Sequence, residues 1–188
     1  MADKTALVLL AEGAEEMELV ISIDVMRRAG IRVMVAGVAG ASPVRCRRDT
    51  QVVPDVSLVE AMTHGTYDAV VMPGGIPGAK NLAASPEVGS LLREQERAGR
   101  FVCAICAAPT VLKAHGVGYG KNITSFPPLK DAMVDGNKYN YKEDKVVVDG
   151  KLITSRGPGT AFDFALRIVE EMVDKETALT VAKAMLLA

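Results

Sequence analysis

FVCAICAAPTVLKAH, residues Phe101–His115, is the stretch on which the fold turns. Its first five residues are apolar without alternation, as a strand covered on both faces must be. Ala107 to His115 then reads as a helix, and Gly116 closes it with a common C-terminal stop signal. Cys106 stands alone between the two. A buried strand running straight into a helix is half of a β-α unit, and the rest of the chain repeats the theme.

Upstream, TALVLLA at Thr5–Ala11 and AVVM at Ala69–Met72 are similar continuous apolar runs; the second ends in Pro73-Gly74-Gly75. After the first comes an acidic turn, then helical spacing from Glu16 to Ala29, with Met17, Val20, Ile21 and Val25 on one face and Gly30 as the stop. Arg32–Val38 reads as another strand, and Val44–Cys46 with Gln51–Pro54 as two small ones. Ser85 and Pro86 open a helix to about Ala98 in cap and first-turn positions. Downstream, Asn122–Ser125 leads to Val146–Thr154, which turns at Asp149-Gly150 as a hairpin. Thr160–Met172 and Glu176–Leu187 complete the pattern as helices. Strands alternating with helices predict a mostly parallel sheet with helices on both faces. No repeat or linker divides residues 1–188, so one α/β domain is expected.

Composition narrows the partners. Lys and Arg number 22 against 23 Asp and Glu, leaving no net field to hold nucleic acid or an anionic membrane. Only 4% of residues are aromatic and Trp is absent, which removes base-stacking platforms. The apolar stretch Ala6–Ala11 is too short, and wrongly flanked, for a signal peptide or membrane span. Three cysteines, Cys46, Cys103 and Cys106, are an odd set suited to free thiols in a reducing compartment. A cytosolic protein is expected.

In such sheets ligands bind beyond the carboxyl ends of the strands. Glu12–Glu18, Pro73–Gly78 and Cys106 therefore converge on one rim. Cys106 sits as in a nucleophile elbow. The following helix start is expected to favour the thiolate and lower its pKa. Gly74 and Gly75 could bring backbone N–H donors close, having no Cβ to block the approach. An inert packed cysteine is the bland alternative. Of the two histidines, His115 lies roughly 13 Å of helix rise from Cys106, and His64 falls at the other edge of the sheet. A Cys-His dyad is thus disfavoured. Glu12, Glu15, Glu16 and Glu18 remain as proton donors, and periodicity alone does not choose among them. A half-buried member would have a raised pKa and could donate a proton. Cys103 lies inside the strand, which argues against a disulfide with Cys106; no second ligand pair supports zinc. Cys46, before Arg47 and Arg48, reads as an exposed loop cysteine, activated by the neighbouring charge or simply inert.

Taken together, several motifs are specific. Ala11-Glu-Gly-Ala-Glu-Glu-Met-Glu18, Asp24-Val-Met-Arg-Arg-Ala-Gly30, Met72-Pro-Gly-Gly75, Ala104-Ile-Cys-Ala-Ala-Pro-Thr110 and Thr154-Ser-Arg-Gly-Pro-Gly-Thr160 resemble the Parkinson-disease-associated deglycases of the ThiJ/PfpI superfamily, end to end. The resemblance implies a flavodoxin-like three-layer sandwich that forms a homodimer partly through the first helix. It marks Cys106 as nucleophile and redox sensor, and Glu18 as the protonated carboxyl beside its sulfur. It gives Gly75 and Ala107 the N–H groups for an oxyanion, places Arg28 and Arg48 at the pocket mouth, and brings Pro158 alongside from a second copy. Cys46 would be a further oxidation site. No metal or cofactor is implied, and the family's nuclear and mitochondrial locations join the cytosol as expectations.

The chain also departs from that pattern. Phe126 stands where familiar members carry histidine, Val53 where they carry cysteine, and Cys103 is additional. Ala107 occupies the position of the histidine in protease-like relatives. The expected activity is cysteine-dependent turnover of methylglyoxal, glyoxal and their adducts on amino or thiol groups, as a deglycase or cofactor-independent glyoxalase. The competing expectation is a non-enzymatic redox sensor, in which Cys106 climbs to the sulfinate. A redox-regulated chaperone follows from the resemblance alone.

Overall fold

A computed structural model describes residues 3–187. The central sheet has seven strands: β1 (Thr5–Leu10), β2 (Arg32–Gly37), β5 (Val56–Ser57), β6 (Ala69–Met72), β7 (Phe101–Ile105), β10 (Val146–Asp149) and β11 (Leu152–Ser155). Their order is β10-β11-β7-β6-β1-β2-β5. Only β10 runs antiparallel to its neighbour, through the hairpin at Asp149-Gly150; every other pairing is parallel. Two small sheets, β3 (Val44–Arg45) with β4 (Gln51–Val52) and β8 (Asn122–Ile123) with β9 (Asn140–Tyr141), lie outside it.

The helices are α1 (Glu16–Arg28), α2 (Leu58–Thr63), α3 (Ile76–Ala84), α4 (Pro86–Arg97), α5 (Pro109–His115), α6 (Lys130–Val134), α7 (Ala161–Met172) and α8 (Lys175–Ala184). The chain moves one way across the sheet from β1 to β2 and the opposite way from β6 to β7 to β11. Right-handed crossovers therefore put the connecting helices on opposite faces. The packing agrees: α1 rests on α7 and α7 on α8, while α3, α4 and α5 rest on one another. The three layers form the expected sandwich. β1, β6 and β7 are buried along almost their whole length, which explains their unbroken apolar sequences.

Three helices were not expected: α2, α3 and α6. In α3 the residues Pro77 and Gly78 resemble a loop, yet proline fits the first helical turn. Gly78 is needed there because a Cβ would come within 2.8 Å of the Ala14 backbone. The helix after Cys106 also starts later than its sequence suggests, at Pro109 rather than Ala107. Helix α8 ends at Ala184, three residues short of the expected Leu187.

Candidate active site

The strand order reverses at β1, so the loops after β1, β6 and β7 meet at one rim. Glu15 N–H donates to the Gly74 carbonyl at 3.1 Å and Gly78 N–H to the Gly13 carbonyl at 3.2 Å, locking the first two loops together. Cys106 follows β7 with φ of 64°, a left-handed conformation unusual for a residue bearing a Cβ. Both of its backbone groups are held: its N–H donates to Ser155 O at 3.0 Å, and its carbonyl accepts Phe126 N–H at 2.8 Å. The turn at the nucleophile-type position is thus held by β11 on one side and the loop after β8 on the other, at a local cost of about 1–3 kcal/mol.

The structure sorts the four glutamates. Glu12 carboxyl accepts the Arg45 N–H and Glu16 that of Arg48, so both pin the β3–β4 hairpin. Glu15 caps α1, accepting the Glu18 N–H at 2.8 Å. Glu18 alone turns inward and is fully buried. Its Oε2 accepts the Gly74 N–H at 2.7 Å. Its Oε1 finds no well-aligned hydrogen-bond partner, although the Cys106 thiol lies close enough to influence the carboxyl's titration. Burial drives Glu18 from its ordinary 4.5 up to about 7, against the opposing pull of the Gly74 and Cys106 hydrogen bonds.

Around the sulfur the expected lowering is not what the surroundings produce. Cys106 is only 7% exposed. Burial, followed by the charge on Glu18, pushes its thiol up to about 12, while the Gly75 and Ala107 N–H groups pull it down. The helix begins at Pro109, two residues later than expected, so its first turn does not start at the sulfur. The raising action of Glu18 operates only while that carboxyl is ionised. Protonating Glu18 removes it and leaves the two N–H groups facing the sulfur. Thiol and carboxyl are therefore one titrating unit: above about pH 7 they hold a single proton between them.

Gly74 belongs to this unit in a way different from that expected. Its N–H is spent on Glu18 rather than free for an oxyanion. A Cβ on Gly74 would lie 2.6 Å from Cys106 Cβ, 2.8 Å from Ala107 N and 2.9 Å from Glu18 Oε2. Gly75, with φ of 81°, fits against the Gly13 carbonyl and Glu15 N–H, where no Cβ could enter.

Other candidates fall elsewhere. Arg48 is exposed, with its backbone fixed by Glu16 at the start of α1. Arg28 is at the far end of α1, about 15 Å of helix rise from Glu18, and pairs with Asp24 at 2.6 Å. It does not line the Cys106 site of its own chain. Pro158 opens a short 3-10 turn after β11, three residues beyond the Ser155 carbonyl that holds Cys106. Cys46 is a correction: it is buried, not exposed, and burial with Glu16, Glu12 and Glu15 pushes its thiol up to about 11. Cys103 is wholly buried in β7, which raises its thiol too. His64 ends α2 and His115 ends α5 near Leu82 O, both away from the thiol. Cavities of about 420 Å³ between α7 and α8 and about 300 Å³ beside Val102 and Leu152 do not touch Cys106.

A doubly wound α/β sheet carrying a strained cysteine at its switch-point rim, with a buried carboxyl beside it, defines a cysteine-centred α/β protein without a histidine partner. The comparisons narrow this class: the chain belongs to the DJ-1/PfpI family, whose profile matches residues 4–171. It is 54% identical over 187 residues to a zebrafish (Danio rerio) Parkinson disease protein 7 homolog, covering 100% of this chain and 99% of the relative. It is 43% identical over 188 residues to a Caenorhabditis elegans protein named glutathione-independent glyoxalase DJR-1.2, covering 100% and 98%. The crystal structure of Drosophila melanogaster DJ-1beta superposes with a TM-score of 0.96 at 53% identity, over 99% of both chains. Among the described residues no helix is long and apolar enough to cross a membrane.

Proposed function

We propose that the chain is a cysteine-dependent, cofactor-independent glyoxalase and deglycase acting on methylglyoxal, glyoxal and their adducts, with Cys106 as nucleophile and Glu18 as proton shuttle. The observation that carries this reading is the buried carboxyl raised to about 7 beside the sulfur, a value suited to both giving and taking protons near neutrality. A relative bearing a glyoxalase name over its full length supports it.

Each step follows from the pair. Sulfur adds to the aldehyde carbon of methylglyoxal while the thiol proton passes through Glu18 to the new oxygen, giving a hemithioacetal. Gly75 and Ala107 N–H groups stabilise the oxyanion on the way. Glu18 as carboxylate removes the proton from the former aldehyde carbon and returns it to the adjacent carbonyl carbon. One carbon is oxidised to a thioester as its neighbour is reduced to an alcohol, so no outside redox agent enters. Water cleaves the thioester, releasing lactate and restoring the thiol. Adducts on amines or thiols would reach the same intermediate by expelling the amine or thiol.

The same site favours a second role. Peroxide would oxidise Cys106 to sulfenate and then sulfinate, each step transferring one oxygen and releasing water, with neutral Glu18 donating to a sulfinate oxygen. A homodimer completes the reading: Met17 and Val20 leave an apolar, half-exposed face on α1, with Val53 65% exposed on the neighbouring hairpin. In such a dimer Pro158, and Arg28 from the far end of α1, would approach the Cys106 pocket of the second copy. Cytosolic, nuclear and mitochondrial locations belong to the same proposal. The test is lactate formation from methylglyoxal in amine-free buffer by wild type and Cys106→Ala. The substitution should abolish it, and equal rates would reject the enzyme.

A further inference from the structure

Two buried polar oxygens lie one helical turn apart on α1, each without a well-aligned hydrogen-bond partner: Glu18 Oε1 and Ser22 Oγ. Both residues face the interior, with Glu18 0% and Ser22 1% exposed. Residues four apart on a helix have Cβ atoms about 5–6 Å from one another. Side chains four apart lie on one face of the helix, so Ser22 and Glu18 stand one above the other. A helical serine usually satisfies its hydroxyl on the carbonyl four residues back. Ser22 makes no such bond, so its donor stays uncommitted inside the protein.

Glu18 needs that donor in one protonation state only. As a neutral acid it is a modest burden in an apolar setting. As a carboxylate it has one oxygen served by Gly74 N–H and another that nothing well aligned serves, and an unserved buried charge is costly. We propose that Ser22 is a positioning residue for the Glu18–Cys106 pair: a change of its side-chain rotamer brings the hydroxyl to Glu18 Oε1 as a hydrogen-bond donor when the carboxyl is ionised. The serine thereby keeps the carboxylate form within reach near neutrality and sets the pH at which the pair releases its first proton. Facing Glu18 from the other packed elements are the Gly74 N–H and the Cys106 thiol; Glu15, on the helix cap, adds a like charge.

This inference rests on the proposed pairing of Glu18 with Cys106, and one experiment separates the two. The rate of Cys106 alkylation by iodoacetamide is followed from pH 5 to 10 in wild type, Ser22→Ala, Ser22→Thr and Glu18→Gln. Ser22→Ala should raise the half-point of the first rise, where the pair gives up its first proton, by about one pH unit, the loss expected for one hydrogen bond to a charged group. Ser22→Thr, which keeps a hydroxyl, should return it toward wild type. Infrared difference spectra should show the protonated carboxyl band of Glu18 persisting to higher pH in Ser22→Ala. An unchanged half-point and band in Ser22→Ala, with Glu18→Gln altered, overturn the role of Ser22 and leave the pair intact. Identical profiles in wild type and Glu18→Gln overturn the pair and this inference together.

Discussion

Replacing Glu18 with glutamine should change how stability depends on pH more than any other single substitution at the site. The carboxyl titrates at 4.5 when unperturbed and at about 7 in the native protein. Between those values the native state keeps a proton that the unfolded chain has released, so stability falls as pH rises. The free-energy change is 2.5 units at about 1.4 kcal/mol each, or about 3 kcal/mol. It is fully lost once pH passes about 7. The thiol stays protonated in both states through this window, so it adds no slope. Urea unfolding of wild type and Glu18→Gln at half-unit steps from pH 4 to 8 isolates the effect, because all other groups cancel in the difference. Relative to the variant, the wild type should weaken by about 3 kcal/mol across the series and level off above pH 7.5. A difference that stays within about 0.5 kcal/mol throughout would mean that Glu18 titrates as an ordinary surface carboxyl, and the reasoning from burial would be wrong.

Gly74→Ala forces a methyl carbon within 3 Å of Cys106 Cβ, Ala107 N and Glu18 Oε2; it should cost about 1–3 kcal/mol and alter Cys106 alkylation. Gly159→Ala, which meets nothing, is the control, and equal denaturation midpoints for both would refute the crowding. Glu15→Ala removes the cap on α1 and should cost about 1 kcal/mol in chemical unfolding. It also removes a charge that raises Glu18, so the wild-type pH slope should shift to lower pH; an unshifted slope would count against that coupling. Graded peroxide followed by mass spectrometry should find two oxygens on Cys106 before any on Cys46 or Cys103, because Cys106 is the one with a buried carboxyl, Glu18, beside it to take its proton and hold the sulfinate. Earlier oxidation of Cys46 would overturn that order.

The unbroken apolar runs of β1, β6 and β7 were legible because strands buried on both faces admit no polar alternation. The turn at Cys106 was legible for the same reason: an apolar strand met a helix pattern with one residue between. What escaped is three-dimensional. Pro77-Gly78 looked like loop because the close approach of Ala14 that requires glycine there is invisible along the chain. The four glutamates near α1 share one composition, and only the fold reveals that Glu12, Glu15 and Glu16 serve backbone N–H groups while Glu18 turns inward. The tuning of Cys106 was misjudged for a related reason. A helix start suggests a lowered pKa, but the depth of burial and the carboxylate beside the thiol outweigh it. Cys46 followed the same course, since its arginine neighbours in sequence gave way to glutamates in space.

One proton held jointly by a carboxyl and a sulfur underlies every step assigned to this site. The most direct measurement is the pH dependence of Cys106 alkylation in wild type and Glu18→Gln. Wild type should show a first rise with its half-point near 7, where the pair gives up its first proton and a minor form with neutral Glu18 and ionised sulfur becomes populated. The variant, whose amide cannot accept the thiol proton, should require higher pH by at least about one unit. Superimposable profiles would show that the sulfur ionises without Glu18 and contradict the account.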